Sequence, residues 1–305
     1  MKAAIDIGTN TIRCLIADSQ NGVLNPEYVD MKIIRLGENF KKEGIITPAA
    51  VKRLKDALKI YAGKIKSYGI ESRDVVITGT SVLREAPNAR NIKNTVRKEF
   101  GLNLEIISGE KEALTTLRGI SSCFNGLDEF YSIDIGGGST EYVCVKNGAP
   151  LWKYSLNMGV VHLTEEIIKS DPVSEKDLIK LEREIENKLS LLKSEIIKIG
   201  YKFEPLTLFG TAGTATTLAM VDLKMKEYDR LKIHGYCLKK QDVSVIYKRF
   251  IDTNIKERLN IDGVEAGRED LVLAGTAIMM KSFDFFEVSG FTVSECGLLE
   301  GLIPD

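Results

Sequence analysis

The tetrapeptide Ile5-Asp6-Ile7-Gly8 recurs unchanged as Ile133-Asp134-Ile135-Gly136, 128 positions later (134 − 6). Each copy runs into a hydroxyl-rich turn: Thr9-Asn10-Thr11 after the first, Gly137-Gly138-Ser139-Thr140 after the second. An apolar stretch follows each turn, Ile12 to Ala17 and Tyr142 to Val145. Apolar run, tight turn and apolar run make a β-hairpin pattern. A period this long predicts a duplicated domain, whereas solenoid units recur every ~20–50 residues. At 305 residues the chain has room for two domains of ordinary size.

The rest alternates helix and strand signals. Thr47 and Pro48 supply a cap and a first-turn proline for a helix that Gly69 closes. A strand over 75–78, a helix over 88–100, a strand over 104–107 and a helix from Glu110 to Phe124 follow. In the second half Ser174 caps a long amphipathic helix reaching Ile199, and 206–209 is a strand ending at Gly210-Thr211-Ala212-Gly213-Thr214. Residues 269–286 read as helix, 291–293 as a short strand and 298–303 as a terminal helical turn. The economical arrangement is two α/β lobes facing each other, with the hairpin loops pointing into a cleft.

Charge and composition narrow the function. Lys+Arg (42) nearly cancels Asp+Glu (43), so the net charge of −1 predicts no bulk attraction to nucleic acid or membranes. Any polyanion site must be made locally. No apolar run approaches the ~20 residues that span a bilayer, and the start shows no signal-peptide pattern, so a cytoplasmic location is expected. Cys14, Cys123, Cys144, Cys237 and Cys296 are scattered without CxxC spacing and read as reduced, buried thiols, neither disulfides nor zinc ligands. His162 and His234 are the only histidines, which argues against chemistry that needs a histidine cluster. Trp152 and His162 read as packing residues.

Several residues can carry chemistry. Gly136, Gly137 and Gly138 let the backbone approach a ligand, and with the Ser139 and Thr140 hydroxyls they can form a concave anion site. The plain alternative is a hairpin that needs glycine for positive φ. Asp6 and Asp134 each end an apolar strand, where a carboxylate is out of place unless it meets a cation or a donor. Two such acids beside phosphate-cradling loops suit Mg²⁺, which takes oxygen ligands and keeps several waters; otherwise each caps its own turn. Glu141 either joins them through water or is an exposed strand residue. Glu110 and Glu112 open a helix, where an acid is a dipole partner or a general base for water. Arg84 follows a buried strand and either grips phosphate oxygens or makes a surface ion pair. Gly210, Thr211, Gly213 and Thr214 place backbone donors at a helix start, an anion site or a simple β–α turn.

Taken in order, 4–13, 80–88, 107–113, 133–141, 157–165, 210–217, 268–275 and 293–301 resemble the exopolyphosphatase/guanosine pentaphosphate phosphohydrolase family over essentially the whole chain. That resemblance implies the fold of actin, chaperone ATPases and sugar kinases: two actin-like (ribonuclease H-like) domains with mixed sheets flanking a central cleft. It implies one domain of 1–120 with 292–305 and a second of 121–291. Longer members carry a C-terminal extension, and a chain ending at 305 resembles the short form. Carried over residue by residue, Glu112 matches the catalytic glutamate. Asp6, Asp134 and Glu141 match acids near the metal, Mg²⁺ or Mn²⁺. Thr9, Asn10, Arg84 and 136–139 match phosphate contacts, and we add Thr11 and the 210–214 loop to that set.

The expectation is therefore a phosphohydrolase acting on polyphosphate or guanosine pentaphosphate, with no nucleic-acid or membrane partner and with homodimerisation compatible. Water activated by Glu112 attacks a phosphate held by Arg84 and the loops, so no nucleophilic side chain is required. A small-molecule kinase and a non-enzymatic nucleotide-dependent scaffold of the same superfamily are the competing readings.

Overall fold

Ala3, Ile5 and Ile7 leave one face of the first strand and Ala4 and Asp6 the other, and all five are buried. A strand covered on both faces has to lie inside a sheet that is packed on both sides. The computed structural model describes residues 1–20, 23–124 and 126–303. It divides into two compact units, Met1–Asn125 with Cys296–Asp305, and Gly126–Glu295.

In the first unit, β1 (Lys2–Ile7), β2 (Thr11–Gln20), β3 (Val23–Ile33), β4 (Val75–Gly79) and β5 (Glu105–Ile106) form a sheet in the order β3-β2-β1-β4-β5. The first three are antiparallel, and β4 and β5 add in parallel beside β1. In the second unit, β6 (Phe130–Ile135), β7 (Thr140–Lys146), β8 (Ala149–Leu156), β9 (Leu208–Thr211), β10 (Cys237–Lys239) and β11 (Gly290–Val293) take the order β10-β11-β9-β6-β7-β8. Read from the hairpin, β8-β7-β6-β9-β11 repeats the antiparallel and parallel pattern of β3-β2-β1-β4-β5, with β10 as an added antiparallel edge. The duplicated tetrapeptide thus marks a duplicated mixed sheet.

One face of the first sheet packs Ile5, Ile7 and Ile12 against Leu54, Leu58 and Tyr61 of the Pro48–Ser67 helix and Ile92 and Val96 of the Ala89–Phe100 helix. Thr47 Oγ1 caps the first of these helices by accepting from Ala50 N at 3.2 Å. On the other face Ala4, Leu15 and Ala17 meet Leu299 and Ile303 from the end of the chain. The Leu298–Leu302 helix lies against the Gly109–Cys123 helix at backbone contact. A Cβ on Gly119 would stand 1.9 Å from the Gly297 carbonyl oxygen, and one on Gly301 1.8 Å from that of Thr115. The second unit is built round an aromatic cluster in which Trp152 stacks on Phe286 at 6.4 Å and Tyr131 lies 4.5 Å from Phe286. His162 is buried, with Nδ1 3.2 Å from Asn157 Oδ1.

Three expectations need correction. Cys123 and Cys296 form a disulfide, with Cα atoms 6.3 Å apart and 173 positions apart in sequence, and Cys237 is exposed rather than buried. Their distance along the chain hid a pairing that the docking of the C-terminal segment creates. The Gly109–Cys123 helix runs unbroken within the first compact unit, and β11, hydrogen-bonded to β9, lies within the second. The helix expected from 269 begins at Val272, since Arg268 and Leu271 are spent on turns (Arg268 N to Glu265 O, Leu271 N to Arg268 O). The strand expected over 104–107 pairs only through Glu105 and Ile106. Among the described residues no helix is long and apolar enough to cross a membrane.

Candidate active site

The two hairpin turns are built alike. Gly8 N donates to Thr11 O at 2.9 Å, and Gly136 N donates to Ser139 O at 3.0 Å. Each glycine lies so close to the far side of its turn that a Cβ would stand about 3 Å from that carbonyl oxygen: 3.2 Å at Gly8 and 3.1 Å at Gly136. None of Gly136, Gly137 and Gly138 adopts positive φ, so close approach rather than left-handed backbone accounts for the first of them.

In the first unit the turn after β1 is locked from behind. Ile34 N and Arg35 N donate to Asn10 O, and Gly37 N donates to Thr9 O. Gly37 is needed there, because a Cβ would meet Thr9 Cγ2 at 2.4 Å. Thr9 and Asn10 are buried, and Thr9 Oγ1 accepts from Val82 N at 3.3 Å. That bond joins the turn after β1 to the turn after β4, where Ser81 takes an unusual backbone conformation (φ 34°, ψ −98°) before the Val82–Glu85 helix. Arg84 sits on that helix. Its Nη1 lies 2.5 Å from Glu112 Oε2 and 3.2 Å from Ile107 O. The surface partner Glu85 is bonded to Lys41 instead, at 3.0 Å. Ser108 Oγ caps the helix of Glu112 by accepting from Lys111 N, leaving Glu112 buried in its first turn while Glu110 is exposed.

Asp6 is paired with Arg13, its neighbour across the β1–β2 ladder, through Oδ2 at 2.8 Å from Nη2 and 3.2 Å from Nε. Its Oδ1 is buried without a partner. In the second unit Asp134 and Glu141 are register partners across β6 and β7, both buried, and Ser155 Oγ donates to Glu141 Oε1 at 2.7 Å. Among the described residues no three His, Cys, Asp or Glu side chains form a cluster able to hold a metal alone. The donor chemistry nonetheless fits a hard cation that keeps most of its waters: carboxylate oxygens only, one of them buried and unsatisfied.

The Gly136–Gly138 loop is also fixed by the next helix. Val160 N donates to Gly136 O at 3.1 Å and Val161 N to Gly137 O at 2.8 Å. Gly159 permits this, since a Cβ there would overlap Gly137 and Gly138 at 2.3 Å. At the third loop, Ala212 takes φ 64° and Thr211 makes no side-chain cap. Gly210 is a packing glycine against the Phe291 ring, and Thr214 Oγ1 lies against Gly275. Gly213 seats a cation: a Cβ would fall 1.6 Å from Nη1 of Arg268. Arg268 is held by Glu265, with Nε 2.7 Å from Oε2. Sequence reasoning included Arg268 in a matching segment and gave it no role. Only the fold brings it 55 positions back (268 − 213) onto this loop.

A model of the Ppx/GppA phosphatase family matches residues 15–305. The chain is 31% identical to exopolyphosphatase 2 of Mycobacterium tuberculosis, over 98% of itself and 96% of that protein. It is 33% identical to a bifunctional 3-dehydroquinate synthase/phosphatase of Fusobacterium nucleatum, where 99% of this chain spans 46% of the relative, less than half its length. The crystal structure of an exopolyphosphatase from Cytophaga hutchinsonii superposes with a TM-score of 0.89 at 27% identity, covering 98% of this chain and 95% of the other.

Proposed function

This chain belongs to the Ppx/GppA phosphatase family, and from that premise we propose that it is a phosphohydrolase releasing terminal orthophosphate from inorganic polyphosphate or guanosine pentaphosphate. The observation that carries the reading is the Arg84–Glu112 contact beside the Thr9–Asn10 turn. A guanidinium that binds both a phosphate oxygen and Glu112 brings the carboxylate within reach of water attacking that phosphorus. Glu112 then takes the proton of the water as the phosphoanhydride bond breaks, and the leaving oxygen departs on the shortened chain or nucleotide. No covalent intermediate is needed, because phosphoryl transfer is governed by positioning and charge stabilisation. In the first unit Thr9, Asn10 and Thr11 are the phosphate contacts; in the second, Gly136 to Ser139 and the 210–214 loop offer their own, and Arg268 adds a cation at Gly213.

Each unit offers carboxylates that would hold Mg²⁺, or Mn²⁺ in its place: Asp6 in the first, Asp134 and Glu141 in the second. The ion supplies neutralisation of charge on the phosphoryl oxygens. The test is free phosphate measured from polyphosphate, guanosine pentaphosphate and a nucleoside triphosphate at equal concentration with Mg²⁺. Release from either of the first two supports the proposal. Release from none, or transfer to an added sugar or acid in preference to water, defeats it in favour of a scaffold or a kinase.

A further inference from the structure

Among the described residues of the first unit, four buried oxygens have no hydrogen-bond partner: Asp6 Oδ1, Asn10 Oδ1, Thr78 Oγ1 and Ser81 Oγ. Asn10 lies in the turn where phosphate is proposed to bind, and Ser81 in the turn that leads into the helix of Arg84. Thr78 is different. It sits inside β4 and is 1% exposed. A buried hydroxyl normally finds a protein partner, and leaving it without one costs folding free energy.

Its neighbour accounts for it. β1 and β4 run parallel with Thr78 in register beside Asp6, so the two side chains leave the same face of the sheet. Asp6 spends Oδ2 on Arg13, and Oδ1 is the other unpartnered atom. Two unsatisfied oxygens therefore belong to register neighbours on one face of the sheet, and they do not bond each other. A small polar occupant that bonds both removes both costs.

The charge balance decides what that occupant is. Arg13 already neutralises Asp6, so a bare cation placed directly on Oδ1 meets a carboxylate whose charge is balanced. A water bound to a cation through its oxygen has two hydrogens to give, and Oδ1 and Oγ1 are two acceptors for them. We propose that Thr78, together with Asp6, holds one water of the hydration shell of the divalent cation. Thr78 is thus a positioning residue for the metal and does not touch substrate. The inference rests on the metal dependence proposed above.

The experiment is calorimetric titration of Mg²⁺ into the full chain without substrate, with melting temperature recorded at each metal concentration. Thr78→Val keeps the shape and removes the oxygen, and Thr78→Ser keeps the oxygen. The expected result is Mg²⁺ affinity about 3–10-fold weaker in Thr78→Val, the worth of one hydrogen bond, with most of it recovered in Thr78→Ser. The metal-dependent rise in melting temperature should shrink in parallel, while metal-free Thr78→Val melts at or above the wild-type temperature. Unchanged Mg²⁺ affinity in Thr78→Val overturns the inference and leaves the metal reading intact. A lower metal-free melting temperature in that variant overturns it too, because the hydroxyl would then have a structural partner. A wild-type chain that binds no Mg²⁺ removes the metal reading and this inference together.

Discussion

Arg84 Nη1 lies 2.5 Å from Glu112 Oε2, and the same nitrogen lies 3.2 Å from the Ile107 carbonyl oxygen. One guanidinium therefore joins the short helix after β4 to the strand end and helix start that carry the candidate base. Neither side chain is fully exposed, at 22% and 10%, so solvent screens the pair less than it would a surface ion pair.

Glu112→Gln should lower kcat at least ~10²-fold with little change in KM, the usual scale for a general base. Glu110→Gln, at an exposed position two residues earlier, should cost far less. Steady-state phosphate release from both variants checks this, and equal losses would reduce Glu112 to a helix-dipole partner.

The contact also makes the two residues one energetic unit. Arg84→Ala should raise KM and lower kcat, and the Arg84→Ala/Glu112→Gln double variant should lose less than the product of the single losses. Losses that multiply would mean that the pair acts independently.

Metal removal gives a direct test. Activity should vanish in chelator and return with Mg²⁺, and Asp134→Asn should need more Mg²⁺ for half-maximal rate. Full turnover in excess chelator would eliminate the metal from the reaction.

Three glycines should respond in opposite directions to alanine. Gly119→Ala and Gly301→Ala push a methyl into the carbonyls of Gly297 and Thr115, so each should destabilise the first unit by about 1–3 kcal/mol or more. Gly63 lies inside the Pro48–Ser67 helix with open space where its Cβ would be, so Gly63→Ala should stabilise by ~0.5–1 kcal/mol. Chemical denaturation separates the two signs.

Thiol counting tests the disulfide. Of five cysteines, Cys123 and Cys296 are bridged, Cys14 and Cys144 are buried, and Cys237 is exposed. Native protein should take one alkylating group, denatured protein three, and denatured and reduced protein five. Burial, with Asp30 nearby, pushes the Cys14 thiol up to about 12, and burial also raises Cys144. For Cys14 the favoured form is the neutral thiol. Its stabilising contribution is complete below the ordinary value of 9.0 and falls as pH rises from there towards about 12. Labelling of Cys14 in native protein at pH 9 would contradict this. Closing so long a loop is worth ~2–5 kcal/mol, so Cys123→Ser should lower the melting temperature of the first unit.

The duplicated Ile-Asp-Ile-Gly and the turn chemistry after it determined the two hairpins β1–β2 and β6–β7, because hairpins depend on residues close along the chain, whereas the third strands β3 and β8 were not read from it. Local signals likewise determined the helix capped at Thr47 and the first-turn position of Glu112. They also singled out Asp6, since an acid ending an apolar strand is anomalous before any neighbour is known. What they did not reveal was which groups meet. The Arg84–Glu112 bond, Thr78 beside Asp6, Arg268 on Gly213 and the Cys123–Cys296 bridge all join residues far apart in sequence. Each depends on which strand lies next to which and on where the last helix docks. The edge strand β10 escaped detection for the same reason, since three residues carry too little periodicity to announce a strand that only its pairing with β11 creates. Side-chain contact is a property of the packed chain, and packing was decided by the burial of both sheets on both faces.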